Sequence, residues 1–359
     1  MGDFGRSYQT SHEERLKALL GRMRSEGSPD SFTKPLEDFL GRPGKRMRPL
    51  LLMASQQSFA GPGTSVQAVL PVAFALECFH AFILIHDDVI DGSLSRRGWP
   101  TLHKAFERKL GFHPHTSASL ATVVGDLLFG YAMESFNDCS LEDSRVAEAL
   151  GYFLRVSQDT GLGEAYELVL MERRLSEVRE KEIEAVYRLK TTRYTIEAPL
   201  VIGAMLGGAP PQALEALKRF SEPVGKAFQI ENDLHEVDLH PEQLEALAYD
   251  LKSGVKTLFM KRLYDSLDDR EKEDLEELLV KGGDPGKTDF RGIADLIAVS
   301  GVRESLRMEV ETLFNEARTA LSDPSLERVR TDLEGMAAWI ESHRYHSESA
   351  VPKPAGGGG

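Results

Sequence analysis

The segment HDDVIDGSLSRRGWPTLH, at positions 86–103, holds side chains whose types and spacing could bind a metal ion and an anion. Asp87 and Asp91 are four residues apart, so on a helix their carboxylates share one face. Two carboxylates held together at the end of an apolar helix repel each other unless a cation joins them. Mg²⁺ is the natural candidate, because carboxylates, phosphate oxygens and water are its usual ligands. The spacing therefore predicts a magnesium site at the end of this helix.

Basic side chains surround this acidic segment. Arg96 and Arg97 follow the aspartates, and His80 lies seven residues before Asp87, on nearly the same helical stripe. Carboxylates, a metal ion and paired arginines together describe a binding site for a polyanion. The alternative is a solvated helix end with ordinary surface arginines, which the RRG spacing makes the weaker interpretation.

A second basic cluster lies upstream, in the segment GRPGKRMRP. Lys45, Arg46 and Arg48 follow a Pro-Gly turn, and Pro49 precedes the apolar run LLLMA. Basic residues at the start of a buried helix can hold phosphate through their charge and through the free N–H groups of the first turn. A plain basic loop has the same composition, and the segment alone does not decide between the two.

A second acidic cluster, IENDLHEVD at positions 230–238, follows directly on the apolar run VGKAFQI. On a helix, the i, i+3, i+4, i+7 spacing brings four polar side chains to one face. These are Gln229, Asn232, Asp233 and Glu236. The cluster therefore predicts a polar site beside a buried helix.

The elements that would position these side chains are helices. Helical periodicity dominates the chain and alternating strand patterns are scarce. The clearest predicted helices are SHEERLKALLGRM, LPVAFALECFHAFILIHDD, PPQALEALKRF, DREKEDLEELLV and VRTDLEGMAAWIESH. Without a linker of domain size, the pattern predicts one all-α domain over residues 1–345, followed by a disordered tail over residues 346–359.

Composition narrows the class of protein. The formal net charge of −14 argues against a general nucleic-acid binder. Cys78 and Cys139 give no disulfide framework, and the N-terminal segment lacks an apolar signal core, so we expect a cytoplasmic protein. The most apolar stretch, Val69–Ile85, is shorter than the roughly 20 residues of a membrane span. We therefore expect a buried helix there and no membrane span.

Five segments, taken together, resemble the isoprenyl (polyprenyl) diphosphate synthase family of the short-chain trans type. They are GKRMRP, LECFHAFILIHDDVIDGSLSRRGWPTLH, VVGDLLF, KTTRY and FQIENDLHE, in the family's order. The resemblance implies an antiparallel helix bundle around a central cavity, a homodimer and Mg²⁺ as cofactor. It also implies a prenyltransferase that joins isopentenyl diphosphate to an allylic diphosphate, which would be dimethylallyl, geranyl or farnesyl diphosphate.

The resemblance also implies a role for each matching residue. Isopentenyl diphosphate would be held by Lys45, Arg48, His80 and Arg97. The allylic diphosphate would be contacted by Arg96 and Lys190, and Lys256 would be a further substrate-binding residue. The metal site would comprise Asp87, Asp91 and the supporting Asp88, together with Asn232, Asp233 and Glu236 on the second helix. The reacting centre would be lined by Lys190, Thr191 and Gln229.

The second half of the pattern departs from the family. Asn232 and Glu236 stand where the family has aspartates, and the neutral amide should weaken metal binding. Val255 takes the place of a lysine that usually follows the glycine, with Lys256 one residue later. The segment GLGEAYELV has glutamates at positions 164 and 167, which are usually Gln and Asp.

These departures leave two alternatives to an elongating enzyme. One is a non-catalytic or regulatory subunit of a prenyl synthase. The other is a terpene cyclase-like enzyme on the same fold, although Glu236 and His240 stand where that pattern requires Ser or Thr and then Glu.

Product length should depend on the helix that precedes the first aspartates. Phe82 and Ile83 lie five and four residues before Asp87, with Cys78 and Phe79 one turn deeper. In the resembled family, aromatic residues at these positions stop chain growth. Only one of the two is aromatic here, so we expect a C20 product ahead of a C15 product.

Overall fold

The computed structural model describes residues 2–61, 64–96, 98–237, 254–280 and 299–344. The predicted all-α class is confirmed. The first nine helices are α1 (Gly2–Ser25), α2 (Asp30–Leu40), α3 (Met47–Ala60), α4 (Leu70–Ile90), α5 (Leu102–Leu110), α6 (Pro114–Ser135), α7 (Asp143–Met171), α8 (Glu180–Val186) and α9 (Ala198–Leu206). The remaining long helices are α10 (Pro211–Val237), α11 (Leu258–Ser266), α12 (Asp269–Val280), α13 (Val302–Ala320) and α14 (Arg330–Arg344).

Shorter elements complete the described ranges. Four 3₁₀ turns span Val66–Val69, Phe136–Asp138, Leu175–Glu177 and Pro324–Val329. A π-helical segment, Tyr187–Glu197, joins α8 to α9. A two-stranded antiparallel hairpin, which periodicity did not predict, pairs β1 (Ser95–Arg96) with β2 (Trp99–Pro100).

The chain divides into two compact units. The described part of unit 1 comprises residues 2–61, 64–96, 98–151 and 202–209. That of unit 2 comprises residues 152–201, 210–237, 254–280 and 299–344. The single-domain organisation stays a prediction. The predicted tail, residues 346–359, lies outside the described residues.

Unit 1 is organised around α4, which packs against α3 and α6. Residues 70–79 of α4 are all buried, as expected for a helix that is apolar nearly all round. By length and composition, Val66–Ile90 could cross a membrane, but 72% of its apolar window is buried inside the protein. The prediction of a buried helix is therefore confirmed.

Two glycines bring α9 close to α3 within unit 1. A Cβ atom at Gly203 would lie 2.3 Å from the carbonyl oxygen of Leu52, and one at Gly207 would lie 2.7 Å from that of Gln56. Real Cβ atoms do not approach so closely, so any side chain at either position would force the helices apart.

Unit 2 is organised around α10, which packs against α13 and against the π-helical segment. A Cβ atom at Gly225 of α10 would lie 2.3 Å from the side chain of Thr192. On α7, a Cβ atom at Gly163 would lie 2.5 Å from the backbone nitrogen of Lys190. These glycines let two helices pack closely against the segment that holds Lys190 and Thr191, Gly163 against its backbone and Gly225 against the Thr192 side chain. Segments of π-helix are rare in proteins, and those that occur are often found at functional sites.

Candidate active site: two acidic clusters with basic partners

The first acidic cluster lies at the C-terminal end of α4. The helix ends at Ile90, and the backbone N–H of Asp91 donates to the carbonyl oxygen of Asp87 at 2.9 Å. Gly92 has φ +64°, a left-handed conformation that lets the chain turn sharply after the aspartates. Asp87 and Asp91 therefore lie one helical turn apart, as their spacing predicted.

Arg96 neutralises two of these carboxylates. Its Nη2 lies 2.6 Å from Asp87 Oδ2, and its Nε lies 2.7 Å from Asp88 Oδ1. Burial raises the pKa of the Asp88 carboxyl, and the charge of Arg96 opposes that rise. Burial lowers the pKa of Arg96, but Asp88 and Asp87 outweigh it and hold the guanidinium fully charged. The positive charge that the sequence required beside these aspartates is supplied in this structure by Arg96.

The donor set at this helix end also suits a hard divalent cation. Asp88 is 1% exposed, and its Oδ2 atom has no hydrogen-bond partner in the described part of the chain. Three carboxylates within one turn are oxygen donors of the kind that Mg²⁺ prefers. Among the described residues, no group of three His, Cys, Asp or Glu side chains already converges as a finished metal site.

The predicted basic residues of unit 1 lie at the start of α3 and on α4. Lys45 is two residues before α3, Arg48 is in its first turn, and His80 is on α4 before the aspartates. All three are partly exposed. Arg97 lies outside the described residues.

The sequence analysis grouped Arg46 with the basic residues that can hold phosphate, but it missed the partner of Arg46, Glu77. Arg46 has φ +49°, the left-handed conformation, and its guanidinium is bonded to the buried carboxylate of Glu77 on α4. The same guanidinium donates to the carbonyl oxygen of Arg42 at 2.8 Å. The available signal was a lone glutamate in an apolar helix, because a buried carboxylate requires a partner.

Phe82 belongs to an aromatic cluster below the aspartates in unit 1. Its ring centroid lies 5.7 Å from that of Phe79, 5.4 Å from that of Phe129 and 4.5 Å from that of His86. A Cβ atom at Gly125 would come within 2.5 Å of the His86 ring, so this glycine makes room for the cluster. Ile83 is partly exposed next to Phe82. The motif VVGDLLF contributes Gly125 and Phe129, neither of which the sequence analysis assigned to this cluster.

In unit 2, Lys190 is paired with the two glutamates that depart from the family pattern. Its Nζ lies 2.8 Å from Glu164 Oε2 and forms a second, shorter ion pair with Glu167. The other oxygen of Glu164 has no hydrogen-bond partner among the described residues. The altered positions are therefore the direct partners of the lysine.

In the second acidic cluster, two neutral side chains donate hydrogen bonds to Asp233. Asp233 is 6% exposed; its Oδ1 accepts from Gln229 Nε2 at 2.8 Å, and its Oδ2 accepts from the Tyr187 hydroxyl. The Thr191 hydroxyl donates to Gln229 Oε1 at 2.9 Å. Burial and the nearby Asp233 carboxylate raise the pKa of Tyr187 well above its usual value, so its hydroxyl stays protonated. Asn232 is exposed.

Two further predicted residues of unit 2 have distinct outcomes. Glu236 lies within α10, but its side chain is outside the described residues. Lys256 is buried, and its Nζ donates to the carbonyl oxygens of Gly254 at 2.9 Å and Met171 at 3.3 Å. Burial lowers the pKa of this lysine. Its role in diphosphate binding stays a prediction.

Comparisons with known proteins agree with the motifs. The sequence model of the family described as Polyprenyl synthetase matches residues 29–290. A short chain isoprenyl diphosphate synthase of Methanothermobacter thermautotrophicus is 27% identical over 343 residues, which cover 91% of this chain and 98% of that protein. A farnesyl diphosphate synthase of Geobacillus stearothermophilus is 31% identical over 245 residues, covering 64% of this chain and 75% of that protein.

A solved structure shows the same architecture. The geranylgeranyl pyrophosphate synthase of Corynebacterium glutamicum, described as complexed with isoprenyl diphosphate and magnesium, superposes with a TM-score of 0.82 at 25% identity. The match covers 94% of this chain and 98% of that one. The resemblance that the sequence motifs predicted is therefore confirmed.

Proposed function

This chain belongs to the polyprenyl synthetase family, and on that basis we propose that it is a trans-prenyltransferase. It condenses an allylic diphosphate with isopentenyl diphosphate to give a short-chain prenyl diphosphate. The observation that carries this proposal is the end of α4, where three carboxylates lie within about one turn and Arg96 pairs with two of them, Asp87 and Asp88.

The side chains of unit 1 are suited to bind diphosphate. Lys45 and Arg48 flank the start of α3, whose first-turn N–H groups favour anions. Arg96 is placed to exchange its carboxylate partners for phosphate oxygens. Asp87 and Asp91, supported by Asp88, would hold Mg²⁺, which when bound supplies positive charge to the departing diphosphate.

The proposed reaction begins with heterolysis of the allylic C–O bond. The electron pair of that bond leaves with the diphosphate, and the allyl group becomes a cation. In unit 1, Arg96 offers positive charge to a diphosphate group. In unit 2, Lys190 likewise supplies positive charge, and the hydroxyl oxygen of Thr191 offers a lone pair to a cation. The double bond of isopentenyl diphosphate then forms the new C–C bond. The released diphosphate accepts a proton from the adjacent carbon, which restores a double bond.

Product length is part of the proposal. The aromatic cluster comprises Phe79 and Phe82, which precede Asp87 on α4, and Phe129 on α6. A growing chain would extend toward this cluster. A C20 product is therefore proposed ahead of C15. The homodimer that the resemblance implied and the cytoplasmic location that the composition indicated stay predictions.

The test is a product assay with purified protein. Mg²⁺, radiolabelled isopentenyl diphosphate and dimethylallyl, geranyl or farnesyl diphosphate are supplied in turn, and the dephosphorylated products are separated by chromatography. A ladder that ends at C20 supports the proposal. Release of a hydrocarbon without isopentenyl diphosphate would instead indicate the cyclase-like alternative.

One observation favours a second candidate, the non-catalytic subunit. The ammonium group of Lys190 is paired with two glutamates, and that of Lys256 with backbone carbonyls. A protein that binds pyrophosphate in calorimetry but incorporates no label with any primer would support this candidate and contradict the first.

A further inference from the structure

We propose that Asp233 is a positioning residue that fixes the direction of a hydrogen-bond chain ending at Thr191, and that it does not ligate metal. The inference rests on the proposed function, because the direction matters for a cation formed near Thr191. All members of the chain lie in unit 2: Leu258, Tyr187, Asp233, Gln229 and Thr191.

The donor-to-acceptor direction of the hydrogen-bond chain is set first at Tyr187. The backbone N–H of Leu258 donates to the Tyr187 hydroxyl oxygen at 2.9 Å. A backbone N–H can only donate, so the tyrosine oxygen accepts there and its single hydrogen is left for another acceptor. That acceptor is Asp233 Oδ2.

The second oxygen of Asp233 sets the orientation of Gln229. A carboxylate can only accept, so the group of Gln229 that lies 2.8 Å from Asp233 Oδ1 must be the amide nitrogen. The carbonyl oxygen of Gln229 then faces Thr191 at 2.9 Å. The orientation of this amide, which electron density alone rarely reveals, is fixed by the chemistry of its neighbour.

The consequence appears at Thr191. Its single hydroxyl hydrogen is donated to Gln229, so its oxygen presents only lone pairs in other directions. A lone pair stabilises a neighbouring carbocation, whereas a hydroxyl hydrogen pointing at it would oppose the positive charge. Asp233 thereby selects the favourable orientation of a hydroxyl with which it has no direct contact.

The same contacts argue against a metal ligand at this position. Both oxygens of Asp233 accept hydrogen bonds, and the side chain is 6% exposed. In contrast, Asp88 keeps one buried oxygen without a hydrogen-bond partner in the described part of the chain.

The decisive variant is Asp233→Asn, which can reverse the chain without breaking it. The asparagine oxygen accepts from Tyr187, and its NH₂ group donates to the Gln229 oxygen. Gln229 then donates to Thr191, whose hydrogen is released toward the reacting centre. We expect kcat to fall by about tenfold or more, with the KM of both substrates and the half-saturating Mg²⁺ changed by less than about twofold.

Two further variants test whether the loss of kcat comes from the reversed hydrogen-bond direction at Thr191 or from a general loss of structural support. In a Thr191→Val background, adding Asp233→Asn should change kcat by less than about twofold, because no hydroxyl remains to orient. Tyr152→Phe is the matched control, since Tyr152 is another buried tyrosine of unit 2 that donates to a buried carboxylate, that of Glu197. This control should leave kcat unchanged.

Calorimetric titration of Mg²⁺ with pyrophosphate tests the metal half of the proposal without turnover. Asp233→Asn should bind Mg²⁺ like the wild type, while Asp87→Asn should bind more weakly. A loss in Asp233→Asn equal to that in Asp87→Asn would overturn the proposal, as would an undiminished kcat. If the wild type makes no product, the proposed function is wrong, but the proposed direction of the hydrogen-bond chain can still be tested. A neutron structure of the wild type would show that direction, and a Thr191 hydroxyl hydrogen that faces away from Gln229 would overturn the inference.

Discussion

The carboxylates of the two acidic clusters are stabilised in different ways. In unit 1, Asp87 and Asp88 are compensated by the full charge of Arg96. In unit 2, both oxygens of Asp233 accept hydrogen bonds from uncharged groups, a hydroxyl and an amide. A charged partner can be exchanged for another cation when a ligand arrives, whereas a fully hydrogen-bonded buried carboxylate is costly to release. The first cluster is therefore suited to bind ligands, and the Asp233 network is suited to hold a shape.

The largest expected effect is that of Asp87→Ala in unit 1. The variant removes one proposed metal ligand and leaves Arg96 with Asp88 alone, so we expect turnover to fall by at least about a hundredfold. Steady-state rates measure the loss, and circular dichroism should show an unchanged helical fold. A rate within a few-fold of the wild type would reject this role for Asp87.

The next effect concerns the aromatic cluster of unit 1. Phe82→Ala opens the region below the aspartates by most of one ring, so the product should lengthen by at least one C5 unit. Chromatography of dephosphorylated, radiolabelled products measures the change. Phe112→Ala, at a 43% exposed phenylalanine, is the matched control and should leave the product unchanged. If an active Phe82→Ala variant keeps the wild-type distribution, Phe82 is not the chain-length stop.

A smaller effect should follow from restoring a carboxylate in unit 2. Asn232→Asp places a charge at an exposed position next to Asp233, so the half-saturating Mg²⁺ concentration should fall several-fold. Asn315→Asp, which adds the same charge on α13, is the control and should have no such effect. An unchanged or higher Mg²⁺ requirement would show that position 232 is not near the metal.

The smallest expected effect is that of Glu164→Gln. The substitution removes one of the two charges that pair with Lys190 and makes the ammonium group more available to diphosphate. The KM for the allylic diphosphate should fall by about two- to fourfold, since one partly screened ion pair is worth about 1 kcal/mol or less. Glu148→Gln, on the exposed surface of α7, is the control. A higher KM would mean that Glu164 supports binding.

Local geometry with a strong sequence signal was predicted correctly, whereas contacts between residues far apart in the chain were not predicted. Helix α4 follows from its apolar run, and the pairing of Asp87 with Asp91 follows from helical spacing. The π-helical segment has no such signal, because its hydrogen-bond register depends on how closely Gly163 and Gly225 approach it. The chain from Leu258 to Thr191 joins residues up to 71 positions apart, which periodicity cannot reveal.

The left-handed backbone of Arg46 has a consequence for how this position can vary. A residue with a Cβ atom costs about 1–2 kcal/mol in that conformation, and glycine would remove the cost. Glycine would also remove the guanidinium that joins Glu77 to the turn before α3. The backbone conformation therefore favours glycine at position 46, whereas the contacts with Glu77 and the carbonyl oxygen of Arg42 require arginine. A substitution that removes the conformational cost also removes these contacts. Natural variation at this site should thus be confined to arginine, even though the local backbone favours the smallest residue.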